Sequence, residues 1–322
     1  MDALTTEDES PEEIASRVKL VVANNHHFRI LPFEQRLPFQ VSMNYVPSSY
    51  LSPWNLIGSP VRYLQQSEMY APEATKVELS HHLAHAFSAV FACPFDRGLV
   101  VIMDGMGDSL DDWLAARCRD ERHYFCESSC PLFVRDAPDF REFPKDVGHR
   151  PGISFREAET AYVFERRHDG VHFSRVYKRW TPENAPSELA NHSFEEMDSI
   201  GAMYSRVSAL IFKDWNNCGK VMGLAPYGQK ESDSFEDKRL FIHGHLYDGS
   251  IEMDTGRMIG MTHSSKSMAD CDDTSEGKRL RHYFEQLAHR MQRDLEVTVA
   301  DFISNLIDQT GEQNLILAGG SH

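Results

Sequence analysis

Residues Gly98 to Asp108 read GLVVIMDGMGD. From Leu99 to Met103 every side chain is apolar, with no polar alternation, so the run predicts a strand covered on both faces by other layers of the fold. It ends abruptly in Asp104-Gly105. Ligands collect at the ends of strands in open α/β sheets, which makes Asp104 a candidate site residue from the outset.

Just upstream, residues 78–91 read ELSHHLAHAFSAVF, a helix expected from about Ser80 to Ala92 that buries Leu83, Phe87, Val90 and Phe91. His81 and His85 lie four residues apart, hence one turn apart on one face, which is the spacing that lets two imidazoles reach one metal ion. Asp104 is available as a third ligand. His82 points off that line, toward a supporting or substrate-facing position. The spacing also fits the plainer alternative of solvated or capping imidazoles at a helix start.

Working outward, VKLVVA (Val18 to Ala23) and NLILAGG (Asn314 to Gly320) carry the same unbroken apolar pattern and are expected as buried strands, the second running straight into Gly319-Gly320. Two glycines after a strand let a backbone approach a phosphate closely, a weak signal alone. ETAYVFERRHDGVHFSRVYKRW reads as a hairpin turning at His168-Asp169-Gly170. Ile200, Met203, Val207, Leu210 and Ile211 recur at helical spacing, with Asp198 as the expected cap. A second, long helix is expected from about Lys278 to Gln309, closed by Gly311 and laid across a sheet. A short helix from Pro11 to Arg17 follows a lead-in, the prolines of Asn24 to Tyr63 predict an irregular packed region, and Trp113 to Cys118 offers a return strand.

Further stretches carry both a chemical and a plain reading. GKVMGLAPYG (Gly219 to Gly228) is either a ligand-approaching loop or a demanding turn. DCDDTSEG (Asp270 to Gly277) lacks the ligand order of a calcium loop and reads as a solvated acidic loop. His243 and His245 read as exposed. Cys126 and Cys130 are read as unrelated thiols.

With 33 Lys and Arg against 49 Asp and Glu, the formal charge of -16 disfavours nucleic acid and other polyanions as partners and suits small diffusing substrates. The apolar fraction of 41% is that of a globular protein with one large core or two smaller ones. Six cysteines without a CxxC pair, an acidic N-terminus, and no apolar run of the ~20 residues that span a bilayer together predict a cytoplasmic chain with no membrane partner.

Five motifs now stand in order: HHLAHA (His81 to Ala86), DGMGD (Asp104 to Asp108), SIGAMYS (Ser199 to Ser205), KVMGLAPYG (Lys220 to Gly228) and LAGG (Leu317 to Gly320). Together they resemble the carbamoyltransferases of the nodulation and antibiotic-tailoring type, over about Val18 to Gly320. The resemblance implies an α/β, actin-like and ribonuclease-H-like ATPase core, related to the enzymes that place threonylcarbamoyl on transfer RNA, followed by a smaller domain that makes carbamoyl-adenylate from carbamoyl phosphate and ATP. The core then passes the carbamoyl group to an acceptor hydroxyl. By resemblance, His81, His85 and Asp104 match the family's metal ligands, usually for iron(II), and Gly319 and Gly320 match the start of a nucleotide-contacting loop.

Residues 1–17 are expected as a lead-in and 18–322 as the domain, with a first lobe at about 18–98 and a second at about 99–322. Departures from the family pattern make both lobes incomplete by expectation. Nothing before Val18 matches the family's opening hairpin. Its GGVALN is here GGSH, without the later metal-binding aspartate or the adenylate-forming domain, through which ATP and carbamoyl-adenylate would be supplied. The expected function is the acceptor-side domain of an O-carbamoyltransferase, inactive alone with carbamoyl phosphate and ATP. The alternatives are a non-catalytic metal- or nucleotide-binding remnant and a metal-dependent hydrolase.

Overall fold

The structure, a computed structural model, describes residues 17–23, 75–105, 107–108, 110, 123–125, 134–145, 154–183, 198–214, 217–231, 241–253 and 266–319. In chain order the elements are β1 (Leu20–Ala23), β2 (Thr75–Glu78), α1 (His81–Ala92), β3 (Arg97–Met103), β4 (His123–Phe125), β5 (Val134–Phe143), β6 (Ser154–Arg167) and β7 (Gly170–Glu183). Then come α2 (Ile200–Phe212), α3 (Cys218–Leu224), a 3-10 turn (Ala225–Glu231), β8 (Ile242–His243), β9 (Glu252–Met253), α4 (Ser275–Thr310) and β10 (Leu315–Ala318). Most of the expected 11–17 helix, the irregular region 24–63, the return strand 113–118, Cys118, Cys126, Cys130 and Gly320 lie outside the described residues.

Five strands form a mixed sheet in the order β10-β3-β6-β7-β5. β10 runs parallel to β3, β6 and β7 are antiparallel to their neighbours on the β3 side, and β5 is parallel to β7. Side chains of β3 alternate between two cores. Leu99, Val101 and Met103 face α2 and α4, together with Ile200, Met203, Val207, Phe284, Leu287 and Phe302. Val100 and Ile102 face α1, with Leu83, Ala86, Val90, Tyr162 and Phe164. Every one of these β3 residues is at most 9% exposed. Its continuous apolar sequence is thus what burial between two helical layers requires. The result is an α/β fold with the mixed sheet and flanking helices of an actin-like, ribonuclease-H-like core.

The hairpin closes as expected, with Arg167 paired to Gly170 across His168-Asp169 and Gly170 at φ +136°. α4 is longer than its apolar pattern, because polar caps extend it. Thr274 Oγ accepts from the Gly277 amide at its start, while Gly311 ends it in the left-handed region at φ +69°. The acidic stretch 270–277 supplies the starting cap: Thr274 Oγ1 also donates to Asp272 Oδ1 at 2.5 Å, and just before it Asp270 completes a separate capping box with Ser267 on the 3-10 turn Met268–Asp270. It is a helix entrance in place of an ion loop.

Four expectations are corrected. Phe91, expected on the buried face of α1, is 85% exposed. Leu20 and Val22 of β1 are 56% and 54% exposed, and β1 belongs to a separate three-stranded parallel sheet in which, among the described residues, it pairs only with β2. β10 is an edge strand, pairing among the described residues with β3 alone, and Leu317 is 51% exposed. An apolar run without alternation therefore marked two-sided burial at β3 only. The cap of α2 is Ser199, not Asp198: Ser199 Oγ accepts from Ala202 N at 3.0 Å, while Asp198 N donates to Thr181 Oγ1 at 2.8 Å.

Candidate metal centre

α1 begins at the sheet end where β3 stops. Buried Ser80 caps the helix, its Oγ accepting from Leu83 N at 3.3 Å, and Leu83, Ala86 and Val90 fix the inner face on the sheet. That rotation leaves His81 and His85 at the rim, their side chains 13% and 32% exposed, beside Asp104 at 10%. His81 Nε2 lies 2.5 Å from Asp104 Oδ2, His85 Nε2 lies 3.0 Å from His81 Nε2, and His85 Nε2 lies 3.7 Å from Asp104 Oδ2. All three ligand atoms fall within 4.8 Å of one another.

One proton cannot serve this cluster. A proton on His81 Nε2 directed at Asp104 is turned away from His85, and one on His85 Nε2 directed at His81 needs the lone pair whose proton would serve Asp104. A cation at the common centre satisfies all three. With metal–ligand bonds of about 2.1 Å, neighbouring donors stand roughly 3.0–3.4 Å apart. The two distances involving His85 bracket that range, and only the His81–Asp104 pair must open. Two imidazoles and one carboxylate are also a donor set suited to iron(II). The residues present therefore fit a divalent first-row ion.

Asp104 is aimed by its own loop. Gly105 N donates to Asp104 Oδ1 at 2.8 Å, leaving Oδ2 to the histidines. Burial works against ionising this carboxyl, but hydrogen bonds with His81 and His85 outweigh it and hold its pKa well below the usual carboxylate range. From the other side, Ser199 Oγ donates to Gly105 O at 2.7 Å. A Cβ on Gly201 would stand 2.6 Å from Gly105 N and 2.7 Å from Asp104 C, so the SIGAMYS helix presses its backbone directly on the ligand loop. Glu159 Oε1 accepts from Ile200 N at 3.0 Å and holds that helix start in place.

His82 turns inward, not toward substrate. It is fully buried, with Nδ1 2.7 Å from Thr160 Oγ1 on β6. Burial lowers its pKa to about 4 against the pull of Glu157, so the ring is neutral at pH 7. Gly319 arrives at the same end of the sheet, at φ +123° and with its would-be Cβ only 2.0 Å from Met103 O, the carbonyl next to Asp104. GKVMGLAPYG forms α3 and the following 3-10 turn, packed on α2 and α4, and a Cβ on Gly228 would stand 2.3 Å from Glu285 O. Gly219 to Leu224 is thus helical where a loop or turn was expected, and of the three glycines Gly228 alone is closely approached. His243 and His245 are exposed, and Cys93, Cys218 and Cys271 are free thiols.

The profile of the family described as Carbamoyltransferase N-terminus matches residues 68–322. The chain belongs to that family. The match spans both histidines, Asp104 and the whole five-stranded sheet, and assigns this carbamoyltransferase domain to carbamoyl transfer. No curated protein sequence matches it. Among its described residues no helix is long and apolar enough to cross a membrane.

Sequence reasoning missed the charged layer beneath the carbamoyltransferase ligand loop. Arg156, Glu157, Glu159, Lys178 and Arg179 are all buried, with Lys178 Nζ 2.5 Å from Glu157 Oε1 and Arg179 Nε 2.6 Å from Glu159 Oε2. Charged residues on a hairpin read as its solvent face. The one available signal was the opposite sign of the acids in FREAET and the bases in YKRW, which the hairpin brings side by side.

Proposed function

We propose that this chain is the acceptor-side domain of an O-carbamoyltransferase that uses carbamoyl-adenylate and a divalent ion, iron(II) or a first-row substitute. The observation that carries it is the convergence of His81, His85 and Asp104 at the end of β3. When bound there, the ion would neutralise negative charge on the phosphate of the departing adenylate.

The chain's own residues supply the frame. α1 holds two imidazoles a turn apart, and the Asp104 loop offers one carboxylate oxygen while Gly105 N occupies the other. His85, the most exposed of the three, marks the open side of the cluster. Gly319, followed by Gly320, supplies side-chain-free backbone for a nucleotide at the same end of the sheet. In the transfer, the acceptor oxygen bonds to the carbamoyl carbon, the mixed-anhydride C–O bond breaks, AMP leaves with the electron pair, and the hydroxyl proton passes to solvent. The acceptor is a small molecule, and free thiols suit a reducing, cytoplasmic setting.

The test is linkage between ion and nucleotide. AMP binding followed by calorimetry should strengthen at least tenfold when cobalt(II) is added to the wild type, and the gain should vanish in the His81→Ala/His85→Ala variant. AMP binding indifferent to the ion in the wild type would contradict the proposal.

A further inference from the structure

We propose that buried Glu157, its charge matched by Lys178, positions the ligand loop through the side-chain oxygen it offers to Asp108 N, setting both Asp104 and His81 in place without touching the ion. The inference rests on the cation reading above.

The ladder between β3 and β6 runs in register up to the pair Met103–Glu159. Beyond it the chain bulges, then returns to β6. Gly107 N donates to Glu157 O at 3.0 Å, and Glu157 N donates to Asp108 O at 3.0 Å. Asp104 and Gly105 thereby sit outside the ladder, between the fixed points Met103 and Gly107. Where the loop is re-anchored therefore decides where Asp104 sits.

That anchor is the Glu157 side chain. Its Oε2 accepts from Asp108 N at 3.0 Å and its Oε1 from Lys178 Nζ at 2.5 Å, with both partners of the ion pair 0% exposed. Arg156 Nη1 adds a bond to Gly107 O at 3.2 Å. Gly107 leaves no slack: a Cβ there would stand 2.5 Å from Glu157 Cβ and 2.9 Å from His82 Nε2. Asp108, fixed in this way and 1% exposed, passes the constraint to the helix, because its Oδ2 accepts from the backbone amide of His81 at 3.0 Å. One carboxylate thus ties the loop that carries one ligand to the helix turn that carries another.

A buried ion pair is weak evidence for stability, since apolar residues of similar size often replace one at no loss. Control of loop register is a use that an apolar pair cannot supply. Glu157 is the positioning residue and Lys178 balances its charge, and the test separates position from fold.

Glu157→Leu/Lys178→Met removes the acceptor for Asp108 N while filling the space. Glu157→Gln/Lys178→Met keeps an amide oxygen for that bond and removes only the charges. Cobalt(II) affinity should fall at least tenfold in the Leu/Met variant and stay within threefold of wild type in the Gln/Met variant. In the ion-free proteins, hydrogen exchange at the His81 amide should follow the same order, fast in Leu/Met and slow in Gln/Met. Asp108→Ala cuts the link beyond the ion pair and should reproduce the tenfold loss even if the Leu/Met protein does not fold.

Wild-type affinity in Asp108→Ala or in the Leu/Met variant, or equal weakening in both double variants, would overturn the proposal. If the wild type binds no cobalt(II), the cation reading fails by itself. The exchange order then still decides the positioning claim, and wild-type protection of His81 in Leu/Met would overturn it.

Discussion

Gly201→Ala adds one methyl group to the second residue of α2, far from any ligand atom in the sequence, and should weaken cation binding without unfolding the domain. The new Cβ would lie 2.6 Å from Gly105 N, 2.7 Å from Asp104 C and 2.9 Å from Asp104 O. Each is about 1 Å short of ordinary van der Waals separation. All three are backbone atoms, so no side-chain rotation relieves the contact. Either α2 lifts from the sheet or the 104–105 loop slides away from it. The helix is held by its Ser199 cap, by Glu159 on the Ile200 amide and by Met203 and Val207 in the core, whereas the loop is the narrower element, so the loop yields.

Overpacking costs about 1–3 kcal/mol, of which alanine's better helix propensity returns up to ~1 kcal/mol. The net loss of roughly 0–3 kcal/mol lowers Tm by a few degrees. A displacement approaching 1 Å at Asp104, by contrast, should lower cobalt(II) affinity about 10- to 100-fold, the range expected when the support of a metal ligand is disturbed. Calorimetric titration of cobalt(II), with circular dichroism melts on the same samples, reads both quantities. Wild-type affinity in a folded Gly201→Ala protein would refute the claim that SIGAMYS fixes the ligand loop.

Thr160→Val should destabilise the protein by about 1–3 kcal/mol in chemical denaturation, since it leaves the buried His82 Nδ1 without its partner. Gly319→Ala, at φ +123° with Met103 O 2.0 Å from the new Cβ, should lose more stability than Gly311→Ala, where φ is +69° but nothing lies within 4 Å and the cost is about 1 kcal/mol. Equal melting temperatures for the two would contradict the close approach of Gly319 to β3. Gly228→Ala should loosen the 3-10 turn from α4, seen as faster hydrogen exchange in residues 225–231, because its Cβ would meet Glu285 O at 2.3 Å.

The sheet was legible in the sequence where one strand did one job. β3 reads as doubly buried and is so, since both of its faces meet helices. β1 and β10 have the same composition, but apolar side chains do not announce how many strands flank them, and both stand at sheet edges among the described residues. The convergence of His81, His85 and Asp104 was legible because four-residue spacing sets two imidazoles on one helix face and Asp104 ends a recognisable strand. His82 was harder, since helix phase alone shows that it departs from the ligand line but not that Thr160 awaits it inside. The layer of Glu157, Lys178, Glu159 and Arg179 was legible only as opposite charges that the hairpin brings side by side, not as a buried layer. Its burial depends on the ligand loop and α2 closing over that end of the hairpin, which no local pattern encodes.

Anaerobic titration of the purified protein with iron(II) or cobalt(II), beside the His81→Ala/His85→Ala variant, tests the site most directly. The geometry predicts one equivalent bound by the wild type and none by the double variant, with His82→Ala only partly impaired. Equal occupancy in the wild type and the double variant, with both proteins folded, would show that His81, His85 and Asp104 are not a cation site.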